Sequence, residues 1–314
     1  MLQVTRTTVL RLSQVALALQ VLLVVSGSAV RVTGSGLGCP TWPRCTGGSL
    51  TSTAALGTHG AIEFGNRLLA VVMEVVGIAL VLAVRKIPHP RLWSRLALVQ
   101  AAVVPLQAVI GGLLVLSGLN PYVLILHFLT SFPLVYGAAA LLHAVRKDRP
   151  RTSQPWTTHP ETTHPETTQP LLRPLSAGLV AVSSVVLVLG TLVTGTGPHA
   201  GDPKVARLPF NPRDVTQLHA DGVYLLVGLV LATVLVAWST PYRRWGLVLL
   251  GLVVAQGALG YWQYFTGVPP VLVVLHVLGS ALVFTTAVWL HLTTRTRADV
   301  PPRQRTAEQI PVRA

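Results

Sequence analysis

Charged residues are scarce. Asp, Glu, Lys and Arg together make up 11% of the 314 residues, against about 25% in an ordinary soluble domain. A water-soluble globule cannot cover its surface with so few. An unfolded chain combines high charge with low hydrophobicity, so disorder is excluded as well. Acidic side chains are the rarest of the charged set, 10 against 24 Lys and Arg. Cysteine occurs only twice, and neither copy lies in a long apolar run, which argues against a zinc cluster inside the apolar segments. Apolar residues are in excess: 51% of the chain, with a mean hydropathy of +0.59. That combination is the composition of a polytopic membrane protein.

Apolar runs of about 20 residues, each long enough to cross a bilayer, fall at 10–30, 60–84, 94–116, 121–144, 175–195, 215–238, 244–265 and 270–292. With the N-terminus inside, 18 of the Lys and Arg residues lie on the inner side of these eight spans. Five lie outside: Arg31, Arg44, Lys204, Arg207 and Arg213. The excess of positive charge therefore marks the cytoplasmic face and not a nucleic-acid surface. Both termini are expected in the cytoplasm, the protein in the cell membrane, and the basic face against anionic lipid. Arg6 and Arg11, an apolar run and Ser26–Ala29 also have the form of a signal peptide. An internal repeat gives this first span a partner in the second half, so it is expected to remain.

The repeat is explicit. VTGSG (Val32–Gly36) leaves the first span and VTGTG (Val193–Gly197) leaves the fifth. QAVIGGLLVLSGLNPYVLILHF (Gln107–Phe128) aligns without a gap on QGALGYWQYFTGVPPVLVVLHV (Gln256–Val277). Gln107 pairs with Gln256, Gly118 with Gly267, Pro121 with Pro270 and His127 with His276. Each half contains four spans, an even number, so both halves have the same orientation. The expected fold is all-α: two tandem four-helix bundles related by a pseudo-two-fold axis along the membrane normal. The expected divisions are a first bundle at 1–145, a cytoplasmic linker at 146–174, a second bundle at 175–294 and a disordered tail at 295–314. The linker holds a Pro/Thr-rich tandem, TTHPETTHPETTQP (Thr157–Pro170). It reads as a flexible tether, although His159 and His164 recur in it.

Ionisable groups inside spans are costly and mark function by default. His127 and His276 each lie six residues into their spans from the outer end, and His219 four or five residues into its own. All three therefore sit within about 6–9 Å of one boundary. The fourth position called for by the repeat, in the second span, is Asn66. A lone histidine on an apolar face is more often a structural hydrogen-bond partner. Three at one depth, two of them at matched repeat positions, point instead to haem iron held by imidazoles from facing helices. His89, His143 and His291 fall at cytoplasmic ends.

Glu63 lies one turn before Asn66, and Arg67 follows Glu63 at i+4. The pair reads either as an intramembrane salt bridge or as a carboxyl group in a haem pocket with Arg67 on a propionate. Cys39 and Cys45 share the first outer loop, GLGCPTWPRC. In an oxidising space they are expected to form a disulfide, either a staple or a redox-active pair. The second half has no counterpart, so the two bundles are expected to do different jobs.

Taken together, TGSGLGCPTWPRC, IEFGNR, the Gln107–Phe128 repeat, QLH at His219 and QGALG with LH at His276 resemble the haem A synthase family over nearly the whole chain. The resemblance implies an eight-helix membrane oxidoreductase that oxidises a ring methyl group of haem O to the formyl group of haem A during cytochrome oxidase assembly. It implies a resident haem b ligated by His219 and His276. Haem O would occupy the first half, with His127 on its iron, Glu63 catalytic, and Asn66 and Arg67 in the substrate pocket. The family has a histidine where this chain has Asn66. The Cys39–Cys45 pair matches the family's outer-loop disulfide. Implied partners are haem O, the farnesyltransferase that makes it, an electron donor or acceptor, and lipid, with no nucleic acid. Two other classes fit less well. A plain electron-carrying cytochrome b would need both haem sites closed, and Asn66 leaves one incomplete. A parallel-repeat transporter would hold its polar site at the midplane, not near one face.

Overall fold

The computed structural model describes residues 4–148, 170–199, 201–202 and 205–298. Among these it contains nine α-helices, one 3-10 turn (Ala54–Leu56) and no strand. The helices are α1 (Arg6–Val32), α2 (Gly57–Arg85), α3 (Arg91–Leu116), α4 (Pro121–Leu129), α5 (Ser131–Lys147), α6 (Leu172–Thr196), α7 (Pro212–Ala237), α8 (Arg243–Phe265) and α9 (Pro270–Ala298). With α4 and α5 counted as one segment, eight spans are long and apolar enough to cross a membrane. The linker tandem, with His159 and His164, and the tail lie outside the described residues.

Side-chain caps set the starts of α1, α4 and α7. Thr5 and Thr8 form a capping box at α1. Asn120 Oδ1 accepts from the Tyr122 N–H at 3.0 Å, and Asn211 Oδ1 from the Arg213 N–H at 3.0 Å. In both cases proline follows at the first helical position. α1 extends beyond the apolar run 10–30 at both ends, so Arg6 and Arg31 lie inside it and not in flanking loops.

The fourth span is not the single helix expected. Pro133 has no N–H to offer the Leu129 carbonyl, and its ring crowds that carbonyl. The chain pauses at Thr130, whose single Oγ1–H faces the Leu126 and His127 carbonyls at 2.8 and 3.1 Å and Gln107 Oε1 at 2.9 Å. Leu282 holds the aligned position in the second half, and α9 runs unbroken. The turns before α4 and α9 are alike. Gly118 and Leu119 (φ 63° and 62°) match Gly267 and Val268 (φ 76° and 59°). A branched side chain in the left-handed region costs about 1–2 kcal/mol. Both turns are closed by equivalent bonds, Leu119 N–H to Leu114 O at 2.9 Å and Val268 N–H to Gln263 O at 2.7 Å.

In the first half α1, α2, α3 and α4–α5 pack in a ring, and in the second α6, α7, α8 and α9 do the same. The seam between them is built by α1, α5 and α9, with α4 against α6. Val24, Phe132, Val135, Leu187, Phe284 and Val288 fill it, and Phe132 meets Phe128 and Phe284 edge-on, each at 5.3 Å. Within a bilayer such rings are held by close packing more than by dehydration. Polarity is turned inward. Gln20 Nε2 donates to Gln100 Oε1 at 3.1 Å, and Gln100 Nε2 to the Leu134 carbonyl at 2.9 Å, both side chains being buried. Val71, Leu82, Leu235 and Phe265 point outward, as lipid-facing residues do. At one end Arg146 lies over Trp289, Arg243 over Trp238 and Arg244 over Trp245. This is the basic and aromatic belt of a membrane interface.

Candidate functional site

In the second half, His219 on α7 and His276 on α9 stand across the ring from one another and within electrostatic range. Each ring lies against a glycine of a neighbouring helix. A Cβ on Gly190 or Gly260 would sit 3.3 Å from Cε1 of His219 or His276, respectively. His219 Nδ1–H donates to the Val186 carbonyl at 3.1 Å, which leaves the lone pair on Nε2, directed away from α6. His276 Nδ1 is buried without a partner. Gln256 Nε2 donates to the His276 backbone carbonyl at 2.5 Å and so fixes the height of that turn against α8.

The first half repeats half of this arrangement. A Cβ on Gly111 would lie 3.2 Å from His127 Cε1, and His127 Nδ1 is likewise buried and unpartnered. Gln107 Nε2 donates to the His127 carbonyl and to Ser131 Oγ, each at 3.1 Å. Across the ring, α2 presents Asn66, whose Oδ1 accepts from Ser26 Oγ on α1 at 2.7 Å. Asn66 is thus anchored to α1 as His219 is anchored to α6. It offers an amide where the second half offers an imidazole.

The Cys39–Cys45 disulfide is present, and its loop is bound to the same stretch of α2. Glu63 is buried, 5% exposed. Its Oε2 accepts from the Cys39 N–H at 2.7 Å, and its Oε1 accepts from Arg67 Nε and Nη2 at 3.1 and 2.5 Å. Arg67 Nη2 also donates to the Cys39 and Thr41 carbonyls at 3.2 and 3.1 Å, and Nη1 to the Arg44 carbonyl at 3.4 Å. All three guanidinium nitrogens are therefore bonded to Glu63 or to the loop. The loop in turn lays the Trp42 ring directly on Gly112, where no Cβ would fit. Gly112 adjoins Gly111, the glycine against His127. Ion pair, disulfide loop, Trp42 and His127 are thus mechanically connected. In the second half Tyr261 holds the position aligned with Gly112, and no such loop exists.

The other histidines among the described residues stand apart from these pockets. His59 is exposed, with Nδ1 2.9 Å from Ser35 Oγ. His199 Nε2–H donates to the Val268 carbonyl at 2.7 Å. His143 packs edge-on against Trp289 at 5.4 Å, and His291 Nδ1 lies 3.2 Å from Ser176 Oγ. No three His, Cys, Asp or Glu side chains among the described residues converge as a metal cage. Two axial imidazoles suit an iron whose remaining positions come from a macrocycle. The buried, unpartnered ring nitrogens and the glycines beside the rings fit such a group.

Sequence reasoning missed Ser26, Trp42 and the three glycines against the imidazoles. Gly111 and Gly260 had a signal, since the repeat aligns them four residues after Gln107 and Gln256. Ser26 and Trp42 had none, because both act across helices whose pairing the sequence leaves open.

A family model described as cytochrome oxidase assembly protein matches residues 11–201. A protein named heme A synthase from Bacillus cereus (strain ATCC 14579) is 26% identical over 311 residues, covering 93% of this chain and 96% of that protein. A heme A synthase from Bacillus pumilus is 33% identical over 137 residues, 43% of each chain. One from Bacillus licheniformis is 32% identical over 108 residues, 34% of this chain and 35% of that protein.

Proposed function

The chain belongs to the haem A synthase family of cytochrome oxidase assembly proteins, and from that membership we propose that it oxidises a ring methyl group of haem O to the formyl group of haem A. The observation that carries the reading is the unequal pair of pockets. The second has two imidazoles across one ring, while the first has one imidazole facing an amide. Filled axial positions suit outer-sphere electron transfer, and an incomplete set suits chemistry and exchange of the bound molecule.

In this proposal His219 and His276 would hold a resident haem b through its iron, and His127 would hold the iron of haem O. The haems supply the redox chemistry when bound. The protein's own residues hold and orient. Val186 fixes the His219 tautomer, and Gln256 and Gln107 fix the heights of the two ligand-bearing turns. Gly190, Gly260 and Gly111 leave room beside the imidazoles. Trp42 and the disulfide loop cover the first pocket and exclude water.

Glu63 is proposed as the catalytic carboxylate of that pocket. Held by a guanidinium and a backbone N–H, it is suited to stabilising positive charge that develops at the methyl carbon, with Arg67 keeping it in place. Converting a methyl to a formyl group removes electrons and protons and takes up an oxygen atom from water or dioxygen; a haem b held by His219 and His276 would supply redox chemistry for that change. The farnesyltransferase that produces haem O is the proposed source of substrate. The basic inner segments support cytoplasmic termini, with both pockets near the outer face.

The reduced absorption spectrum and extracted haem of the purified protein test the reading. A low-spin b-type haem is expected. Protein that is haem-free after expression with ample haem would overturn it.

A further inference from the structure

Arg31 occupies the last turn of α1, and its Nη2 donates to the Thr194 carbonyl in the last turn of α6 at 2.9 Å. A cation on the open carbonyls of a helix C-terminus is ordinary capping, and it employs one nitrogen. Arg31 Nε is buried and has no hydrogen-bond partner. Ser28 Oγ, three residues earlier on the same face of α1, is also buried without a partner. Buried donors are nearly always satisfied in folded proteins, so two orphans on one face point to a group that completes them.

A second cation stands nearby. Arg207, between α6 and α7, lies within electrostatic range of Arg31 and donates to the Pro198 and Val205 carbonyls at 3.0 and 3.4 Å. Neither arginine has a carboxylate partner among the described residues, where the one ion pair is Arg67–Glu63. Like charges at the edge of a low-dielectric region repel strongly unless an anion lies between them. The loops of the two halves close over this place. Gly36 N–H donates to the Gly201 carbonyl at 3.4 Å, and the buried Leu119 side chain packs on both glycines. Along α1, Arg31 is five residues beyond Ser26, about 7–8 Å outward from the level of Asn66.

A haem is apolar over most of its edge and carries two propionates on one side. Burial of the apolar edge in a bundle directs the carboxylates toward the polar end. We infer that Arg31, assisted by Arg207, is the seat of a haem propionate at the outer end of the seam between the halves. This rests on the haem reading of the two pockets. Arg67, the arginine the sequence offered for a propionate, has its three nitrogens engaged elsewhere. The carboxylate can come from the resident haem or from the haem of the first pocket, and one experiment separates the two.

Protein in phosphatidylcholine nanodiscs is titrated with ferric protohaem as the free acid and as its dimethyl ester, and the midpoint potential of the resident haem is recorded. If the first-pocket haem is seated, the wild type binds the acid about tenfold tighter than the ester. Arg31→Met then binds both alike, and Arg31→Lys keeps part of the preference. If the resident haem is seated, its midpoint falls in Arg31→Met, because loss of a cation favours the ferric form, and it recovers in Arg31→Lys. Either result supports the inference. A variant with a damaged fold loses acid and ester binding together with the low-spin band. Arg207→Met, which leaves the Arg31–Thr194 contact intact, then decides by the same two readings. Wild-type preference and wild-type midpoint in both methionine variants and in the double variant would overturn the inference. A wild type that takes up neither form and shows no low-spin haem would instead sink the haem reading beneath it.

Discussion

Asn66 Oδ1 accepts a hydrogen bond from Ser26 Oγ at 2.7 Å, at the place where the second half holds His219. An amide is a weak ligand for iron, and this one already has its oxygen engaged. The substrate iron is therefore expected to have one strong protein ligand, His127. Added haem O should give a high-spin or mixed-spin signal beside the low-spin resident haem. Asn66→His should turn that signal low-spin, and His59→Ala should leave it unchanged. A wild-type substrate haem already bis-imidazole by electron paramagnetic resonance would contradict this.

The resident haem is assigned to the second half alone. Replacing His219 or His276 with Ala should abolish the low-spin b-type band. The glycines provide a finer test. A methyl group on Gly260 would press on His276 Cε1 at 3.3 Å, and one on Gly111 on His127 at 3.2 Å. Gly260→Ala should disturb the resident spectrum, and Gly111→Ala only the signal of added haem O. Normal low-spin haem in both His→Ala variants would remove the assignment.

Glu63→Gln should leave the resident spectrum intact and abolish haem A formation in cells. It also weakens the charge-assisted bonds to Arg67 and the Cys39 N–H, each about 1.5–3 kcal/mol. The loop should then open more often, and trypsin should cleave after the exposed Arg44 about tenfold faster or more. Unchanged haem A output would take Glu63 out of the site.

The disulfide is expected to matter chiefly to the first pocket, since Trp42 links its loop to Gly112 beside His127, whereas its bond to the second half, Gly36 N–H to the Gly201 carbonyl, meets the connection between α6 and α7 and not a ligand-bearing turn. Cys39→Ser with Cys45→Ser removes a short covalent loop that contributes about 2–3 kcal/mol in the chain-entropy model. The variant should lose affinity for added haem O and keep its low-spin band. Two free thiols in protein taken from aerobic membranes would refute the pairing.

The fold was legible because bilayer crossing writes itself into long apolar runs, and the repeat alone pairs His127 with His276 and Gln107 with Gln256. Helix ends were less legible, because polar first and last turns such as Arg6 and Arg31 lie in helices yet read as flanks. The break at Thr130 had a local signal in Pro133. Its weight was hidden by the match to the unbroken α9, where Leu282 stands. Contacts between helices were not legible. Ser26 with Asn66, Trp42 on Gly112 and Arg31 on Thr194 each join residues whose proximity depends on helix rotation, which hydropathy does not encode.

The central claim is that the first pocket converts the haem it binds. Haem O is supplied to membranes containing this protein and lacking any other haem A-forming activity, and the haems are then extracted and separated by mass. The account predicts haem A in the wild type, its loss in His127→Ala and Glu63→Gln, and haem b in all three. Haem O recovered unchanged from wild-type membranes that carry the low-spin haem b would contradict it.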